Sequence, residues 1–258
     1  LPFELSPAFF RPEVLSKYKT DREKYTVAER SVSCRTAWHL KGYDVNEAGQ
    51  IHAYICDLRM LPYTEQLHWL AFNEEPKAGI SDRAVTNDFK GEFVTYQHPR
   101  EEIISTMRRW AERPIDWWKM QDKALLDRAN IPLSSSTDEW ANAFLDLSKL
   151  VVEGFRLKEI RKQLDSVSIS YGEKEQSILL LERLLSGVSH PGTPTRFEGL
   201  RTVQLIRSKV AGHTAGSEAK QIASDAIAKH GGYRDHFAHI CGLVAQELEA
   251  IAAAFEAV

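Results

Sequence analysis

The chain has 258 residues, of which 43% are hydrophobic and 27% charged, which is ordinary for a globular protein with one large or two modest cores. Its formal charge of −3 excludes a general electrostatic attraction to nucleic acid or anionic lipid, so binding to either needs a local patch. Three scattered cysteines, Cys34, Cys56 and Cys241, form neither a disulfide framework nor a metal motif and favour a reducing, cytoplasmic setting.

The first segment, "LPFELSPAFFRPEVL", begins without Met and lacks the basic-then-apolar pattern of a signal peptide. We expect from this that the chain is trimmed, or is a piece of a longer protein with further domains. No stretch approaches the roughly 18 apolar residues that a membrane-spanning helix needs, so no membrane contact is predicted.

Residues 31–61 alternate apolar and polar side chains with the period of two that is typical of β-strands. Ile51, Ala53 and Ile55 continue the alternation after "NEAG", whose Asn and Gly suit a turn. The pattern predicts a β-hairpin, and one face of its first strand is formed by Val32, Cys34, Thr36, Trp38 and Leu40.

Three helices are predicted after the hairpin, at "YTEQLHWLAFN", "SDRAVTNDF" and "REEIISTMRRWAE". Residues 1–133 are therefore predicted to form an α+β domain, whose role the sequence leaves open. The clusters "MRRW" and "DWW" could stack on RNA bases, but we expect them to anchor this domain to the next. The segment "NIPLSSST" marks the boundary, and Ser136 or Thr137 can cap the helix that follows.

Residues 134–258 show helical periodicity throughout, which predicts an all-α bundle of four or five helices. The most regular apolar stripe recurs at spacings of 3 and 4 in the last helix and consists of Phe237, Ile240, Val244, Leu248, Ile251 and Phe255. The predicted helices are "STDEWANAFLDLSKLVVEGFRLKEIRKQL", "EKEQSILLLERLLSGV", "TPTRFEGLRTVQLIRSKV", "SEAKQIASDAIAK" and "YRDHFAHICGLVAQELEAIAAAF". Their apolar stripes can be buried only against one another.

The sequence contains no glycine-rich phosphate loop, no paired-cysteine metal site and no serine-hydrolase elbow, which leaves arginine with histidine as the candidate chemistry. An arginine followed after four to six intervening residues by a histidine occurs at Arg183…His190, Arg207…His213 and Arg234…His239. With 18 arginines and nine histidines, chance alone gives about two such matches, so context must decide.

Arg207…His213 has the best context, because it closes a long amphipathic helix that Gly212 then interrupts. Arg207 lies on or beside the apolar stripe, where an unpaired guanidinium is costly. A six-residue step in an unbroken α-helix leaves two side chains about 120° apart. For Arg207 and His213 to converge on one phosphate, a distorted helix end, a partner protomer, or both are therefore required. Lys209 could face the same way as His213.

The other two matches have weaker context. Arg234…His239 opens the last helix, and Asp235 directly after the arginine is also typical of a solvated helix start. Arg183…His190 runs into "HPG" and indicates a helix end followed by a turn.

A helical bundle with this R-x(4–6)-H pattern, over roughly residues 137–258, resembles the HEPN superfamily. The resemblance implies a metal-independent, cofactor-free endoribonuclease that acts as a homodimer on RNA, in a toxin, abortive-infection or antiviral defence role with an antitoxin or other regulatory partner. Carried over by position, Arg207 and His213 are the catalytic pair, supported by Ser208 and Lys209. Arg234 and His239 are the second choice, and Ser208 departs from the Asn, Asp or His that is more usual behind the arginine.

The implied chemistry uses the nucleophile that RNA itself carries, the 2′-OH. A histidine can accept the hydroxyl proton, and an arginine can stabilise the charge that develops on the phosphorane, which gives a cyclic-phosphate product. Pooling the motifs of two subunits in one cleft would also resolve the angular separation of the two side chains.

Two other functions remain open. An inactive HEPN-like bundle could serve as a dimerisation or RNA-binding module of a larger regulatory protein. Ser208 favours this alternative, as do the 14 Lys or Arg against 16 Asp or Glu in residues 137–258. A purely structural helical adaptor would instead pair Arg207 with an acidic residue of its own subunit.

Overall fold

The structure, a computed structural model, describes residues 3–21, 23–28, 30–92, 98–113, 115–133, 136–188, 196–211 and 216–256. The strands are β1 (Pro7–Phe10), β2 (Thr26–Val27), β3 (Ser31–Cys34), β4 (Trp38–Lys41), β5 (Asp44–Val45) and β6 (Ile51–Tyr54). The helices are α1 (Ser16–Thr20), α2 (Ile55–Arg59), α3 (Tyr63–Ala71), α4 (Asp82–Ala84), α5 (Pro99–Glu112), α6 (Leu125–Arg128), α7 (Thr137–Val151), α8 (Leu157–Ser166), α9 (Ser177–Val188), α10 (Glu198–Ile206), α11 (Ser217–His230) and α12 (Tyr233–Glu256). Short 3-10 turns cover Phe3–Leu5, Pro12–Leu15 and Val152–Gly154, and π-helical turns cover Val85–Phe89 and Arg207–Ala211.

The chain forms two compact units, Leu1–Tyr96 and Gln97–Val258. The first holds two three-stranded antiparallel sheets, with strand orders β1-β6-β5 and β2-β3-β4, together with short helices. The second is helical over the part of it that the structure describes. A β-containing region followed by a helical region is the order that the sequence predicted.

The boundary between the units lies near residue 96, whereas the predicted boundary after residue 133 falls inside the helical unit. The segment before Ser136 belongs with the helices because α5 packs against α12. The two tryptophans of "DWW" add to this anchorage: the Trp117 ring stacks on Phe255 at 4.2 Å, and the Trp118 indole donates to the Val151 carbonyl at 3.0 Å.

The predicted turn at "NEAG" is present, but the strand before it is shorter than predicted. β5 and β6 pair across this turn, where the Asn46 N–H donates to the Gln50 carbonyl at 3.0 Å and Gly49 has φ +75°. The predicted long strand is instead a second hairpin, β3 with β4, because the chain reverses at Arg35, whose φ is +47°. The predicted shared face survives as cross-strand pairs, with Val32 opposite Leu40 and Cys34 opposite Trp38.

The core of the helical unit is the set of apolar stripes that the sequence predicted. α12 is its central helix and contacts α5, α7, α9, α10 and α11. The stripe residues with no exposed surface are Phe144, Leu147, Val151, Phe197, Leu200, Val203, Ile206, Phe237, Val244, Leu248 and Ile251. Ser136 caps α7 by accepting the Glu139 N–H, as expected, and Gly231 ends α11 in the left-handed conformation with φ +82°.

The single helix predicted for residues 136–164 is broken into α7 and α8. Its break follows from Gly154, which lies so close to the Trp118 indole that no Cβ would fit there. The Lys119 N–H donates to the Gly154 carbonyl at 2.9 Å, and the Arg156 N–H donates to the Trp117 carbonyl at 2.9 Å. These backbone bonds to the tryptophan segment replace the helical bonds that would have continued α7.

Candidate functional site

The helix that leads to Arg207 is held at its amino end by two buried carboxylates. Glu247, from α12, accepts the Gly199 N–H at 2.7 Å and the Leu200 N–H at 2.8 Å. Glu182, from α9, accepts the Phe197 N–H at 2.9 Å and a bidentate contact from Arg201. These carboxyl caps satisfy backbone donors that a helix start leaves unpaired, and they fix α10 in the bundle.

The two carboxyls differ in protonation. Burial raises the pKa of Glu247 to about 7, although the two backbone N–H donors oppose this shift. Burial acts on Glu182 in the same direction, but Arg201 and the Phe197 N–H outweigh it and lower its pKa. Glu182 is therefore a permanent anion at neutral pH, whereas Glu247 is close to half-protonated.

The carboxyl end of α10 is irregular. Regular α-helical bonding stops at Ile206, and a π-helical turn, Arg207–Ala211, continues the chain. The Arg207 guanidinium lies 2.8 Å from the Glu153 carboxylate, and the two side chains keep 37% and 35% of their surface exposed. Arg207 thus sits at the distorted helix end that its sequence context called for, paired within its own subunit but open to solvent.

The predicted neighbours of Arg207 also have partners. The Ser208 hydroxyl donates to the Leu205 carbonyl at 3.0 Å, and the Lys209 ammonium lies 3.0 Å from the Glu218 carboxylate. His213 lies outside the described residues, so its distance from Arg207 is not defined. His190, the partner predicted for Arg183, also lies outside them, and Arg183 forms a bidentate ion pair with Glu175.

A groove of about 1210 Å³ runs beside α10. One wall is the segment from residue 172 to the first turn of α9, and the other is a face of α10 that continues into the π-helical turn as far as Ser208. Leu179 and Leu205 line it and are 37% and 42% exposed. The Gln204 amide oxygen, in the same lining, is buried with no hydrogen-bond partner among the described residues. A ligand with a hydrogen-bond donor could satisfy it.

The second predicted pair does not converge within one subunit. Arg234 and His239 both lie on α12, which is a regular helix from Tyr233 to Glu256. A five-residue step in an α-helix rotates the side chain by about 140°, so these two point in different directions. The His239 ring instead contacts the His230 ring, with 4.8 Å between centroids.

His239 belongs to a cluster of three histidines at the junction of α11 and α12. The centroid of the His230 ring lies 4.8 Å from the ring centroids of both His236 and His239. The Trp140 indole donates to the Nδ1 atom of His236 at 3.2 Å, which requires that nitrogen to be unprotonated. Burial, and then the neighbouring His230, His239 and Lys229, lower the pKa of His236 to about 4.

Sequence reasoning missed this cluster, although a signal for it was present. His236 and His239 have the i, i+3 spacing of one helix face, and His230 immediately precedes the Gly-Gly turn. In the part of the chain that the structure describes, no three His, Cys, Asp or Glu side chains are placed to hold one metal ion. The three imidazoles form a packed cluster, in which burial is the main cause of the lowered pKa of His230 and His236.

A comparison with known protein families, curated proteins and solved structures finds no match to this chain.

One described helix, α12, is long and apolar enough to cross a membrane by length and composition alone, with a mean hydropathy of 1.3 over an 18-residue window. No candidate span was predicted here from the sequence. Half of this stretch is buried inside the protein, and one such helix is only a weak indication of a membrane span, because the core helix of a soluble protein has the same length and composition.

Proposed function

We propose that this chain is a metal-independent endoribonuclease of the HEPN type, in which Arg207 and His213 act on RNA. The observation that supports this function best is the end of α10. A helix anchored by two buried carboxylates passes into a π-helical turn at Arg207, beside a groove that reaches Ser208. Irregular turns of this kind inside helices are frequent at functional sites.

The proposed reaction is attack of a ribose 2′-OH on the adjacent phosphate. His213 accepts the hydroxyl proton, and Arg207 stabilises the additional negative charge on the phosphorane. The 5′-oxygen leaves and takes up a proton from water, and His213 returns its own proton to solvent. The products are a 2′,3′-cyclic phosphate and a 5′-hydroxyl. No bond to a metal ion is required for these steps.

The Glu153 carboxylate is compatible with this role. An ion pair whose side chains are about one-third exposed contributes only about 0 to 1 kcal/mol, because water solvates both charges well. A phosphate offers the guanidinium the same bidentate, charge-assisted hydrogen bonding as a carboxylate. An RNA phosphate can therefore replace Glu153 as the partner of Arg207 at little cost.

The location, oligomeric state and cellular role that we propose for the nuclease follow from the resemblance to the HEPN superfamily. We infer a cytoplasmic homodimer whose two subunits border one RNA-binding cleft, with toxin or antiviral defence activity that a regulatory partner restrains. The first unit would select the substrate or sense the trigger.

The direct test is cleavage of bulk RNA by the purified chain in EDTA, compared with the Arg207→Ala and His213→Ala variants. We expect the parent chain to generate cyclic-phosphate ends and both variants to lose at least 100-fold in rate. Equal cleavage by all three proteins would assign the activity to a contaminant or to another site. Absence of cleavage by the parent chain would remove the enzymatic proposal.

The ion pair is the one that the structural adaptor predicts, and it favours a second candidate function as well, a catalytically inactive dimerisation or RNA-binding module. In that case Glu153 is the permanent partner of Arg207. This alternative predicts RNA binding or dimer formation that survives His213→Ala, with no cleavage by the parent chain.

A further inference from the structure

Exposed apolar side chains are concentrated on one side of the first unit. Among the described residues nine large apolar side chains are exposed, and five of them fall between Ile55 and Leu70. Four form a surface that we call the α3 face: Met60, Tyr63, Leu67 and Leu70, with exposures of 78%, 71%, 46% and 66%. Single exposed apolar residues need no explanation, but four within eleven residues of chain, a Tyr and a Met among them, are typical of interaction sites.

The α3 face is a rigid surface. Tyr63, Leu67 and Leu70 follow one another at i, i+4 and i+7, which places them in one stripe along α3. The opposite side of the helix is fixed by Trp69, whose indole donates to the Tyr18 hydroxyl at 3.0 Å. It is fixed also by Glu65, whose carboxylate accepts from Lys17 at 2.8 Å. The stripe therefore needs no ordering before it binds a partner.

The exposed side of α3 carries no charge. Its other exposed residues are Thr64 and Ala71, and the Gln66 amide is held by the Arg59 and Leu61 carbonyls at 3.0 and 2.8 Å. In a two-fold interface, each residue near the axis meets its own copy, so a charge there would repel itself. An uncharged stripe is complementary to a second copy of the same stripe.

The charges that flank α3 suit an antiparallel arrangement of two copies. Arg59, just before α3, and Glu75, just after it, are both exposed and lie eight residues on either side of Leu67. Antiparallel packing about Leu67 brings the end of α3 that Arg59 precedes towards the end that Glu75 of the other copy follows, and the two charges are of opposite sign. A membrane surface fits less well, because Glu74 and Glu75 follow the helix where interfacial helices carry Lys or Arg.

We propose that the α3 face is where two copies of this chain meet, with their α3 helices antiparallel across a two-fold axis near Leu67. The proposal does not depend on nuclease activity, and its test measures assembly only. The contact is small compared with the interfaces of permanent dimers, so the dimer dissociates on dilution.

The test is the mass of the full-length chain in sedimentation equilibrium from about 1 to 100 μM. We expect the parent to shift from monomer to dimer with concentration, and Leu67→Glu to weaken the dimer at least about tenfold. Ile227→Glu is the matched control, because Ile227 is 44% exposed on α11 and undergoes the same change. It should dimerise like the parent. Circular dichroism should show that both variants are folded.

Charge reversal tests the antiparallel orientation. Arg59→Glu should weaken the dimer, and the double variant Arg59→Glu/Glu75→Arg should restore it. A parent that stays monomeric throughout the range would overturn the proposal, and so would a Leu67→Glu variant that dimerises as tightly as the parent. A monomeric chain that binds vesicles of phosphatidylcholine and phosphatidylglycerol through the α3 face would overturn it in favour of a lipid surface.

Discussion

Arg207 and Glu153 form an ion pair with 2.8 Å between Nη2 and Oε1. The pair joins the π-helical turn after α10 to the 3-10 turn after α7, so it connects the two irregular backbone segments of the helical unit. The 3-10 turn interrupts a helix that the sequence predicted to be continuous, whereas the π-helical turn lies at the end of the helix that was predicted to close before Gly212. The pair is the local restraint that holds the guanidinium of the proposed site.

Replacing Glu153 with Gln tests whether that restraint competes with RNA. We expect Glu153→Gln to lower the free energy of unfolding by less than about 1 kcal/mol, because the pair is solvated. The KM for RNA should fall, since a carboxylate beside the bound phosphate is removed. Glu218→Gln, which removes the partner of Lys209, is the control. A large loss of stability in Glu153→Gln with no change in KM would show that the pair is structural.

Alanine substitution of the two candidate arginines separates the two predicted pairs. We expect Arg207→Ala to lower the RNA cleavage rate at least about 100-fold, as loss of a charge-stabilising donor does. Arg234→Ala should change it by less than about threefold, because α12 directs Arg234 and His239 to different sides. Cleavage assays under identical conditions decide this, and the reverse order would move the site to the start of α12.

His236→Phe should change the response of the protein to acid. The folded chain lowers the pKa of His236 to about 4, so the unfolded chain takes up a proton first as the pH falls. The stability that neutral His236 contributes is complete above pH 6.5 and is lost progressively as the pH falls from there towards 4.

We therefore expect the fall in unfolding free energy between pH 6.5 and 4 to be shallower in His236→Phe, by up to about 3 kcal/mol. At pH 7.5 the variant should be about 1 to 3 kcal/mol less stable, since the Trp140 indole loses its acceptor. Urea unfolding at several pH values measures both effects. His39→Phe, which replaces an exposed histidine, is the control. An equal change in the pH dependence of unfolding free energy for both variants would contradict the lowered pKa of His236.

Glu247→Gln should have the opposite pH signature. Because burial raises the pKa of Glu247 to about 7, the folded state holds this proton more tightly than the unfolded state. Its contribution to stability is therefore complete below about pH 4.5 and declines as the pH rises towards 7 and beyond. The Gln variant lacks this titration, so its stability relative to the parent should increase from pH 5 to 8, by on the order of 3 kcal/mol. Parallel pH curves for the two proteins would contradict the raised pKa.

Gly199→Ala tests the close approach of α10 to α12. A Cβ at residue 199 would lie 2.8 Å from the Val244 nitrogen and 3.0 Å from the Glu247 carboxylate, so the helices must separate. We expect a loss of about 1 to 3 kcal/mol, in the range of overpacked cores. At Gly242, on α12, the nearest atom is 3.9 Å away, so Gly242→Ala should be neutral or stabilising. Thermal unfolding of both variants checks this, and equal Tm values would contradict it.

The sequence alone determined the order of the two regions, the positions of most helices and the residues of the helical core. It could do so because the apolar residues of a buried helix face recur at regular intervals in the sequence. Phe237, Val244 and Ile251 lie seven residues apart, and all three have no exposed surface. The turn at "NEAG" could also be predicted from the sequence, because Gly49 adopts a positive φ that few residues tolerate.

Only the tertiary structure decided where those patterns are interrupted and which polar groups meet. The break at Gly154 depends on the Trp118 indole, which lies 36 residues earlier in the chain. The reversal at Arg35 contains no glycine or proline from which a turn could have been predicted. Likewise Glu153 and Arg207, and Glu247 and Gly199, are brought together by packing between helices that are distant in sequence. The period of the apolar residues in one segment shows which face of that segment is buried. The hydrogen-bond or ion-pair partner of a polar atom depends instead on another segment, the one that packs against it.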